Sequence, residues 1–422
     1  MRPLDEARIL DAEDPLRSFR ERFCFPKRQG KDAVYLVGNS LGLEPVRTRE
    51  HVLRELDAWA ALGVDGHFSK EGPLEPWFSY HELFTDRGAR LVGAQPGEVV
   101  AMGSLTTNLH LLMVSFYRPT SSRHRIVIER GAFPSDRYAV MSQARFHGYD
   151  PVETVIELAP RAGEDTLRTE DVVRFIDEHG DDVAMFMMSG VNYYTGQLFD
   201  IRTITQDAKK KGIVVGWDLA HAAGNVPLHL HDDDVDFAAW CTYKYLNAGP
   251  GSVAMAFVHE RHARAFDLPR LCGWWGNDPR SRFSMGRDFE PQAGAAGWQT
   301  SNAPVLSMAA LHASLEIFDE AGMSAVRHKS EKLTSYLLAL VVEIVDEKPG
   351  ALTVITPREV ASRGAQLSLR RRGDPEGFLA VLAERGVVAD FRKPDVIRVA
   401  PAPLYCSFED AWRFASILWE TA

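Results

Sequence analysis

The chain has 422 residues, a length typical of two or three domains, and its 45% hydrophobic and 25% charged residues are typical of a globular protein. Its 48 lysines and arginines against 58 aspartates and glutamates give a net charge of −10, which argues against nucleic acid or another polyanion as a partner. Four cysteines are too few for a disulfide framework, and their spacing fits no zinc motif. Neither a signal peptide nor an apolar stretch long enough to span a membrane is visible, so we expect a cytoplasmic protein.

Strand-like and helix-like segments alternate along the first 305 residues, which predicts an α/β fold with a mainly parallel sheet. Helices are predicted at 51–62 and 106–116, where apolar residues recur on one face. Short apolar runs predict strands at 99–102, 125–129, 183–188, 213–217, 235–242 and 253–258. Because ligands bind outside the carboxyl ends of the strands in such sheets, the polar residues that follow strands are the candidates for chemistry.

The pattern changes near residue 305 and predicts a smaller α+β domain. The predicted elements are a helix around 308–318, strands at 352–355 and 366–370, a helix at 375–384, strands at 387–391 and 396–399, and a final helix from 408. We therefore predict three parts: an N-terminal segment of residues 1–50 that packs on the other domains, a large domain at 51–305 and a small C-terminal domain at 306–422.

Lys244 and Asp218 follow two successive strands of the predicted sheet. A lysine in apolar surroundings has a lowered pKa and becomes a nucleophile suited to Schiff-base chemistry, although a strand-end lysine can also extend to solvent. An aspartate after a buried strand can hold a cationic ring nitrogen or a metal, or cap a helix. The pair suits pyridoxal phosphate (PLP), which needs a lysine for its aldimine and a carboxylate that keeps the pyridine nitrogen protonated.

Two further strand ends could serve the same cofactor. Residues 103–108 lie between a strand and a helix, where free backbone N–H groups and hydroxyls favour a phosphate dianion, with an ordinary N-cap turn as the alternative. Phe133 could stack on a pyridine ring and Asp136 could reach its polar atoms, or both could belong to a simple turn. Four features at four strand ends each meet a different need of one cofactor, and this coincidence favours PLP.

Longer stretches of the sequence resemble the kynureninase family, whose members are fold-type I PLP enzymes of the class V aminotransferase superfamily. The resemblance covers nearly the whole chain and is carried by residues 35–42, 105–112, 132–136, 194–197, 218–222, 243–249, 273–274, 301–302 and 397–405. The sequences Tyr-Lys-Tyr-Leu-Asn-Ala-Gly and Ile-Arg-Val-Ala-Pro are specific, whereas Asp-x-Ala-His followed by a lysine indicates only the superfamily. The resemblance implies an aspartate aminotransferase-like large domain and a small C-terminal domain.

The resemblance also implies a role for each matching residue. Lys244 is implied as the aldimine lysine that transfers the α-proton, and Tyr243 as the general acid and base at the substrate carbonyl. The implied cofactor contacts are Leu105, Thr106, Phe133, Asp136, Ser189, Asp218, His221, Tyr243, Lys244, Trp274 and Asn302. The implied substrate contacts are Arg398, His67, Ser301 and Asn302, with Arg398 holding the α-carboxylate through its planar guanidinium.

The implied reaction is hydrolysis of L-kynurenine to anthranilate and L-alanine, a step of tryptophan catabolism. His67 and Asn302 suggest 3-hydroxy-L-kynurenine as a second substrate, because both can hydrogen-bond a ring hydroxyl. Trp274 and Asn302 are implied to reach the cofactor of a neighbouring subunit, so a homodimer is expected. The histidines and aspartates at 229–234 fit a solvated loop better than a metal site, and no metal is expected.

Other functions remain open on the sequence, namely an aminotransferase or a cysteine desulfurase of the same superfamily, or a non-catalytic homologue that binds PLP. A desulfurase needs a reactive cysteine on a mobile loop, whereas Cys406 follows the strand that carries Arg398. It also usually has a histidine before its lysine, where this chain has Tyr243. The presence of Lys244, Tyr243 and Arg398 together argues against a non-catalytic homologue.

Overall fold

The computed structural model describes residues 2–421, which form twelve α-helices and two larger sheets. The helices are α1 Leu4–Ala12, α2 Thr48–Leu62, α3 Thr85–Val92, α4 Leu105–Phe116, α5 Pro134–Phe146, α6 Pro151–Thr154, α7 Thr169–His179, α8 Ile201–Lys210, α9 Val305–Ala321, α10 Met323–Glu347, α11 Pro375–Glu384 and α12 Phe408–Thr421. The strands are β1 Phe23–Cys24, β2 Lys27–Arg28, β3 Lys31–Asp32, β4 Val34–Tyr35, β5 Glu44–Pro45, β6 Val99–Ala101, β7 Arg125–Glu129, β8 Val155–Leu158, β9 Val183–Ser189, β10 Val214–Asp218, β11 Phe237–Trp240, β12 Met255–Val258, β13 Leu352–Val354, β14 Leu367–Arg371, β15 Val387–Val388, β16 Asp390–Arg392 and β17 Val396–Val399.

A seven-stranded sheet with the order β6-β12-β11-β10-β9-β7-β8 forms the centre of the large domain. The five strands from β11 to β8 are parallel, and β12 pairs antiparallel with β11 and β6. Both faces of the sheet are covered, since Val127 of β7 belongs to one buried cluster while Ile126 and Ile128 belong to another. Burial on both faces explains why these strands read as continuous apolar runs, and the predicted fold class is confirmed.

The carboxyl ends of β7, β9 and β10 lie side by side at one edge of this sheet. These strands end at Glu129, Ser189 and Asp218, and the register pairs Ser189 with Asp218. Helix α4 begins four residues after the last residue of β6, and α5 begins with Pro134 shortly after β7, so both helix N-termini reach the same edge. The topology therefore gathers chemically active side chains that are far apart in the sequence.

The C-terminal part contains a four-stranded antiparallel sheet with the order β13-β14-β17-β16. Helix α12 buries its apolar face and contacts α10, a helix of 25 residues. The sequence analysis does not predict α10, although its buried residues Val326, Leu333, Leu337, Leu340 and Ile344 recur at helical spacing. Among residues 2–421, no helix is sufficiently long and apolar to cross a membrane.

The N-terminal segment contacts the C-terminal part through a strand and a helix cap. β4 pairs parallel with β15, while β16 pairs with β17, so the single strand predicted at 387–391 is divided between two partners. The Asp11 carboxylate accepts the N–H groups of Phe408 at 2.7 Å and Glu409 at 3.0 Å, and so caps α12. The division of the chain at residues 50 and 305 stays a prediction.

Candidate active site

A cavity of about 160 Å³ opens at the edge of the large sheet where β7, β9 and β10 end. Its lining residues are Ser104, Leu105, Thr106, Phe133, Ser135, Asp136, Ser189, Val191, Tyr193, Asp218, Ala220, His221, Tyr243 and Lys244. The structure thus brings together all of the predicted cofactor residues except Trp274 and Asn302.

Lys244 extends into this cavity rather than to bulk solvent, and it contacts a histidine. Its Nζ lies 3.0 Å from Nε2 of His221. Burial and the neighbouring positive charge of Lys244 hold the pKa of His221 well below its usual range, so the imidazole is neutral. A neutral imidazole accepts a hydrogen bond from the ammonium through Nε2, and its Nδ1 is buried without a partner in the described chain.

Asp218 shares a proton with a second buried carboxyl group. Burial and the negative charge of Asp218 raise the pKa of Asp136 well above its usual value, so Asp136 is protonated and donates to Asp218. Asp218 Oδ1 also accepts the N–H of Ala220 at 2.7 Å. Residues 219–224 form turns rather than a helix, so the helix-cap alternative for Asp218 is wrong. Asp218 instead presents its carboxylate to the cavity.

The segment at 103–108 forms a helix N-terminus with unused donors. The first helical hydrogen bond of α4 joins the N–H of Asn108 to the carbonyl of Ser104 at 2.8 Å, so the N–H groups of residues 105–107 point out of the helix end. Thr106 Oγ1 lies 2.7 Å from Ser135 Oγ, which adds hydroxyl donors from the start of α5. Gly103 has φ +51° and no room for a Cβ, which would lie 2.4 Å from Asn108 Oδ1. These donors suit a dianion.

Two aromatic rings flank the cavity, one predicted and one not. Phe133 is the residue before α5, and its ring makes an edge-to-face contact with Tyr193 at a centroid distance of 5.1 Å. The Phe133 ring centroid lies 5.7 Å from Lys244 Nζ. Phe133 is therefore placed to stack on a flat ring bound at Lys244, but the predicted turn at 133–136 is the first turn of a helix.

Tyr243 lines the cavity beside Lys244. Burial and the thiol of Cys241 raise the pKa of its phenol above the usual value. The hydroxyl therefore keeps its proton throughout the neutral range and can donate it to a group in the cavity.

Comparison with known proteins identifies relatives over the full length of the chain. The family model for the kynureninase C-terminal domain matches residues 326–418. A kynureninase from Myxococcus xanthus is 57% identical over 413 residues, which are 98% of this chain and 96% of that protein. One from Koribacter versatilis is 53% identical over 406 residues, which are 96% of this chain and 94% of that protein. The chain belongs to the kynureninase family. The predictions of an enzyme and of PLP as its cofactor are confirmed with it.

Solved structures with the same fold are more distant in sequence. A cysteine desulfurase from Escherichia coli is 17% identical, covers 96% of this chain and 97% of its own, and superposes with a TM-score of 0.76. The apo cysteine desulfurase of Thermococcus onnurineus is 16% identical, covers 100% and 98%, and has a TM-score of 0.74. The likeness shows the fold. No cysteine of this chain lines the cavity, and Cys406 is buried, as a desulfurase cysteine would not be.

The residues of the cavity in this kynureninase-family chain fit PLP. Lys244 provides the amine, Asp218 the carboxylate, Phe133 the aromatic face, and the start of α4 the free amides. Two buried polar atoms that lack partners in the described chain, His221 Nδ1 and Asp136 Oδ1, are available to a polar ligand.

Arg398 lies behind the cavity and not in its lining. It is 1% exposed, and its Nε donates to Asp390 at 2.7 Å while its Nη2 contacts the other carboxylate oxygen. Its Nη1 donates to the carbonyl of Tyr193 at 2.7 Å, and its guanidinium lies 5.9 Å from the Tyr193 ring centroid. The guanidinium implied to hold the substrate carboxylate is thus already bound by an aspartate and by the carbonyl of a cavity residue, and its role toward substrate stays a prediction.

The remaining predicted residues lie outside the lining of the cavity. Trp274 is 42% exposed, and its Nε1 donates to the carbonyl of Arg282 at 3.2 Å. His67 packs on Phe78 with a ring centroid distance of 4.7 Å. Ser301 and Asn302 are exposed. In the described chain none of these four residues lines the cavity, so their implied roles stay predictions.

Sequence reasoning missed Glu129 and Tyr193. Glu129 is the last residue of β7, and Tyr193 follows β9. Asp218 was selected because polar residues at the carboxyl ends of strands are candidates for chemistry, and the same reasoning would have selected these two residues. The loop at 229–234, predicted as solvated, is so in part: His229 and Asp232 are exposed, whereas Asp233 is buried against Arg202 and His231 Nδ1 lies 3.0 Å from the buried Glu98.

Proposed function

We propose that this chain hydrolyses L-kynurenine to anthranilate and L-alanine in the cavity at the edge of the large sheet, with PLP bound at Lys244. The observation that carries the proposal is the meeting of Lys244, His221, Asp218 and Phe133 in one cavity of a chain from the kynureninase family. These side chains come from three strand ends, since Phe133 follows β7, Lys244 follows β11, and both Asp218 and His221 lie at the end of β10. Together they meet the needs of one cofactor.

The residues that would hold PLP differ in the part of the cofactor that each would contact. The first turn of α4, with Leu105 and Thr106, would hold the phosphate, and Phe133 would stack on the ring. Asp218 would pair with the pyridine nitrogen, and Asp136 and Ser189 would contact polar atoms. When bound, PLP supplies a carbonyl for the amine of the substrate and a ring that withdraws electrons from the bonds at the neighbouring carbon.

Lys244 holds and moves protons at its Nζ. With PLP and substrate bound, the free Lys244 amine would lie beside the neutral His221, whose Nε2 is 3.0 Å from Nζ. The histidine accepts a hydrogen bond from it and adds no positive charge, so the amine can take up the α-proton of the substrate and return it.

Tyr243 acts at the substrate carbonyl. Its phenol retains its proton at neutral pH and therefore serves as a general acid where water adds to the γ-carbonyl. Arg398 would hold the substrate carboxylate, because its guanidinium has N–H groups beyond those used by Asp390 and Tyr193.

The proposal is tested with the purified protein and L-kynurenine. The expected results are an absorbance band of enzyme-bound PLP and the fluorescence of anthranilate formed without an added keto acid. Lys244→Ala should abolish both, whereas the control Lys210→Ala, at an exposed lysine of α8, should change neither. A yellow protein that forms no anthranilate, but transfers its amine to a keto acid or releases sulfide from cysteine, contradicts the proposal in favour of a related activity.

We also propose 3-hydroxy-L-kynurenine as a second substrate, with His67 and Asn302 contacting its hydroxyl. His67 is partly exposed at the edge of an aromatic cluster, where its Nε2 is available. Comparison of kcat/KM for the two substrates tests this, and absence of turnover of the hydroxylated one refutes it. His67→Phe should lower kcat/KM for this substrate more than for kynurenine.

We propose that the enzyme acts as a homodimer in which Trp274 and Asn302 complete the cavity of the other subunit. Support comes from large exposed apolar side chains on and after α2, including Leu53, Trp59 and Val64. Light scattering should give twice the mass of one chain. Mixing the inactive Lys244→Ala and Trp274→Ala variants should restore about a quarter of the activity. A monomer, or mixed dimers without activity, contradicts the shared site.

We propose a cytoplasmic location, which is supported by four cysteines that are all free. Fractionation of cells that produce the protein tests this location.

A further inference from the structure

Glu129 is a buried acid directly behind the cavity, and no role above uses it. It is the last residue of β7 and is 2% exposed. Ser189, the last residue of the neighbouring strand β9, donates twice to Glu129: its hydroxyl contacts Oε1, and its N–H donates to Oε2 at 3.3 Å. On the other side, Ser189 is in register with Asp218 of β10. The three strand ends thus form a continuous row.

The contact with Glu129 decides how Ser189 faces the cavity. A serine hydroxyl has one hydrogen to donate and lone pairs to accept with. Since that hydrogen points to the Glu129 carboxylate, the Ser189 oxygen presents only acceptor lone pairs to the cavity that it lines. An amide or an alkyl group in place of the carboxylate would leave the hydroxyl free to turn.

The surroundings of Glu129 disfavour its ionised form, so a purely structural role would lower the stability of the fold. Burial, together with the negative charge of Asp218 and against the opposing effect of the hydrogen bonds from Ser189, raises its pKa to about 7. Glu129 in turn raises the pKa of a further buried acid, Asp136. A buried acid among acids needs a compensating interaction, and Ser189 provides it.

We propose that Glu129 is a positioning residue for the cofactor, which acts by fixing the Ser189 hydroxyl as a hydrogen-bond acceptor for a donor of bound PLP. This rests on the proposed function only in the assignment of the cavity to PLP. Glu129 itself touches no atom of the cavity and takes no part in the chemical steps.

The test measures PLP rather than turnover. Glu129→Gln, Ser189→Ala and the double variant are prepared, and each is titrated with PLP by absorbance and circular dichroism. In Glu129→Gln the side-chain amide has one acceptor for two donors, so its NH₂ group donates to Ser189 and reverses the hydroxyl. We expect PLP to bind about tenfold more weakly in each single variant, with an altered absorbance or dichroism band of the bound cofactor. The control Glu157→Gln, on the adjacent strand β8 and paired with Arg137 at the surface, should match the wild type.

The double variant distinguishes positioning from separate effects. If Glu129 acts through Ser189, the double variant binds PLP no more weakly than Ser189→Ala does. Additive losses, or wild-type affinity and spectra in Glu129→Gln, would overturn the proposal. If Glu129→Gln did not fold, Ser189→Ala would decide, since unchanged PLP affinity in that variant also overturns the proposal. Failure of the wild type to bind PLP would instead remove the proposed function on which this inference rests.

Discussion

The substitution Asp390→Asn tests how Arg398 is held behind the cavity. Arg398 is 1% exposed, and Asp390 contacts it through both carboxylate oxygens. Asparagine retains the size of the side chain but leaves a buried guanidinium without its counter-charge. Removing one partner of a buried ion pair costs about 3–5 kcal/mol, far more than the loss of an exposed pair. The free energy of unfolding should therefore fall by this amount.

The loss of unfolding free energy predicts a lower melting temperature, and the displacement of Arg398 predicts a change in the kinetics. An unfolding entropy of about 2.1 cal/mol/K per residue over 422 residues converts it into a fall in Tm of roughly 3–6 °C. If Arg398 binds the substrate carboxylate in both ground and transition states, its displacement raises KM for kynurenine and changes kcat less. We expect a rise in KM of about tenfold, the magnitude of one charge-assisted hydrogen bond.

The assay combines thermal unfolding of the PLP-bound enzyme with steady-state kinetics. Asp395→Asn is the matched control, because Asp395 lies near β16 and its carboxylate is 3.6 Å from Arg370 at a half-exposed site. That variant should lose less than about 1 kcal/mol and keep its KM. If Asp390→Asn had the Tm and KM of the wild type, Asp390 would not hold the guanidinium, and the account of Arg398 would be wrong.

Three further predictions concern one buried histidine outside the cavity and two residues at the cavity. His81 is buried, and burial together with the charge of Arg282 lowers its pKa to about 4, so the free energy of unfolding should fall as the pH drops below the ordinary histidine pKa of about 6.5. Between pH 7 and pH 5, urea unfolding should show that His81→Gln loses roughly 2 kcal/mol less of this free energy than the wild type does, and equal losses would refute the reasoning. Gly103→Ala should weaken PLP binding and destabilise the fold by more than Gly131→Ala, because both have positive φ but only Gly103 has an atom, Asn108 Oδ1, 2.4 Å from the added Cβ; equal effects would refute the close approach. Asp218→Asn should lower PLP affinity by about tenfold or more while Asp57→Asn, at an exposed position of α2, should not, and an unchanged affinity would remove Asp218 as a cofactor partner.

The sequence predicts those parts of the fold that local patterns encode. Residues 125–129 and 396–399 form strands with the predicted bounds, and 375–384 forms the predicted helix, because each is a short apolar run or repeat with a clear end. The strand predicted at 387–391 is divided instead. Its two halves pair with β4 and β17, which lie at opposite ends of the chain, and no local pattern specifies such partners.

The candidate site likewise has a part that the sequence predicts and a part that it does not. Lys244 and Asp218 could be selected from the sequence because each follows an apolar strand. They could be linked to each other because one cofactor, PLP, needs both a lysine and a carboxylate. The pairing of Glu129 with Ser189 joins residues 60 positions apart, and that of Arg398 with the carbonyl of Tyr193 joins residues 205 apart. Such contacts depend on strand order and register, which periodicity does not determine.

The net charge of −10 gives no account of how this protein would attract an anionic cofactor. Lys244 is the one lysine or arginine among the residues that line the cavity in the described chain, and three buried acids, Glu129, Asp136 and Asp218, lie beside it. The phosphate of bound PLP would therefore be held by the amides at the start of α4 and the hydroxyls beside them, which act only over a few ångströms. Asp136 is protonated and Glu129 lies outside the lining, so Asp218 is the acid that would favour positive charge on the ring. The cavity thus has hydrogen-bond donors at one end and a carboxylate at the other, which suits a cofactor with opposite charges at its two ends.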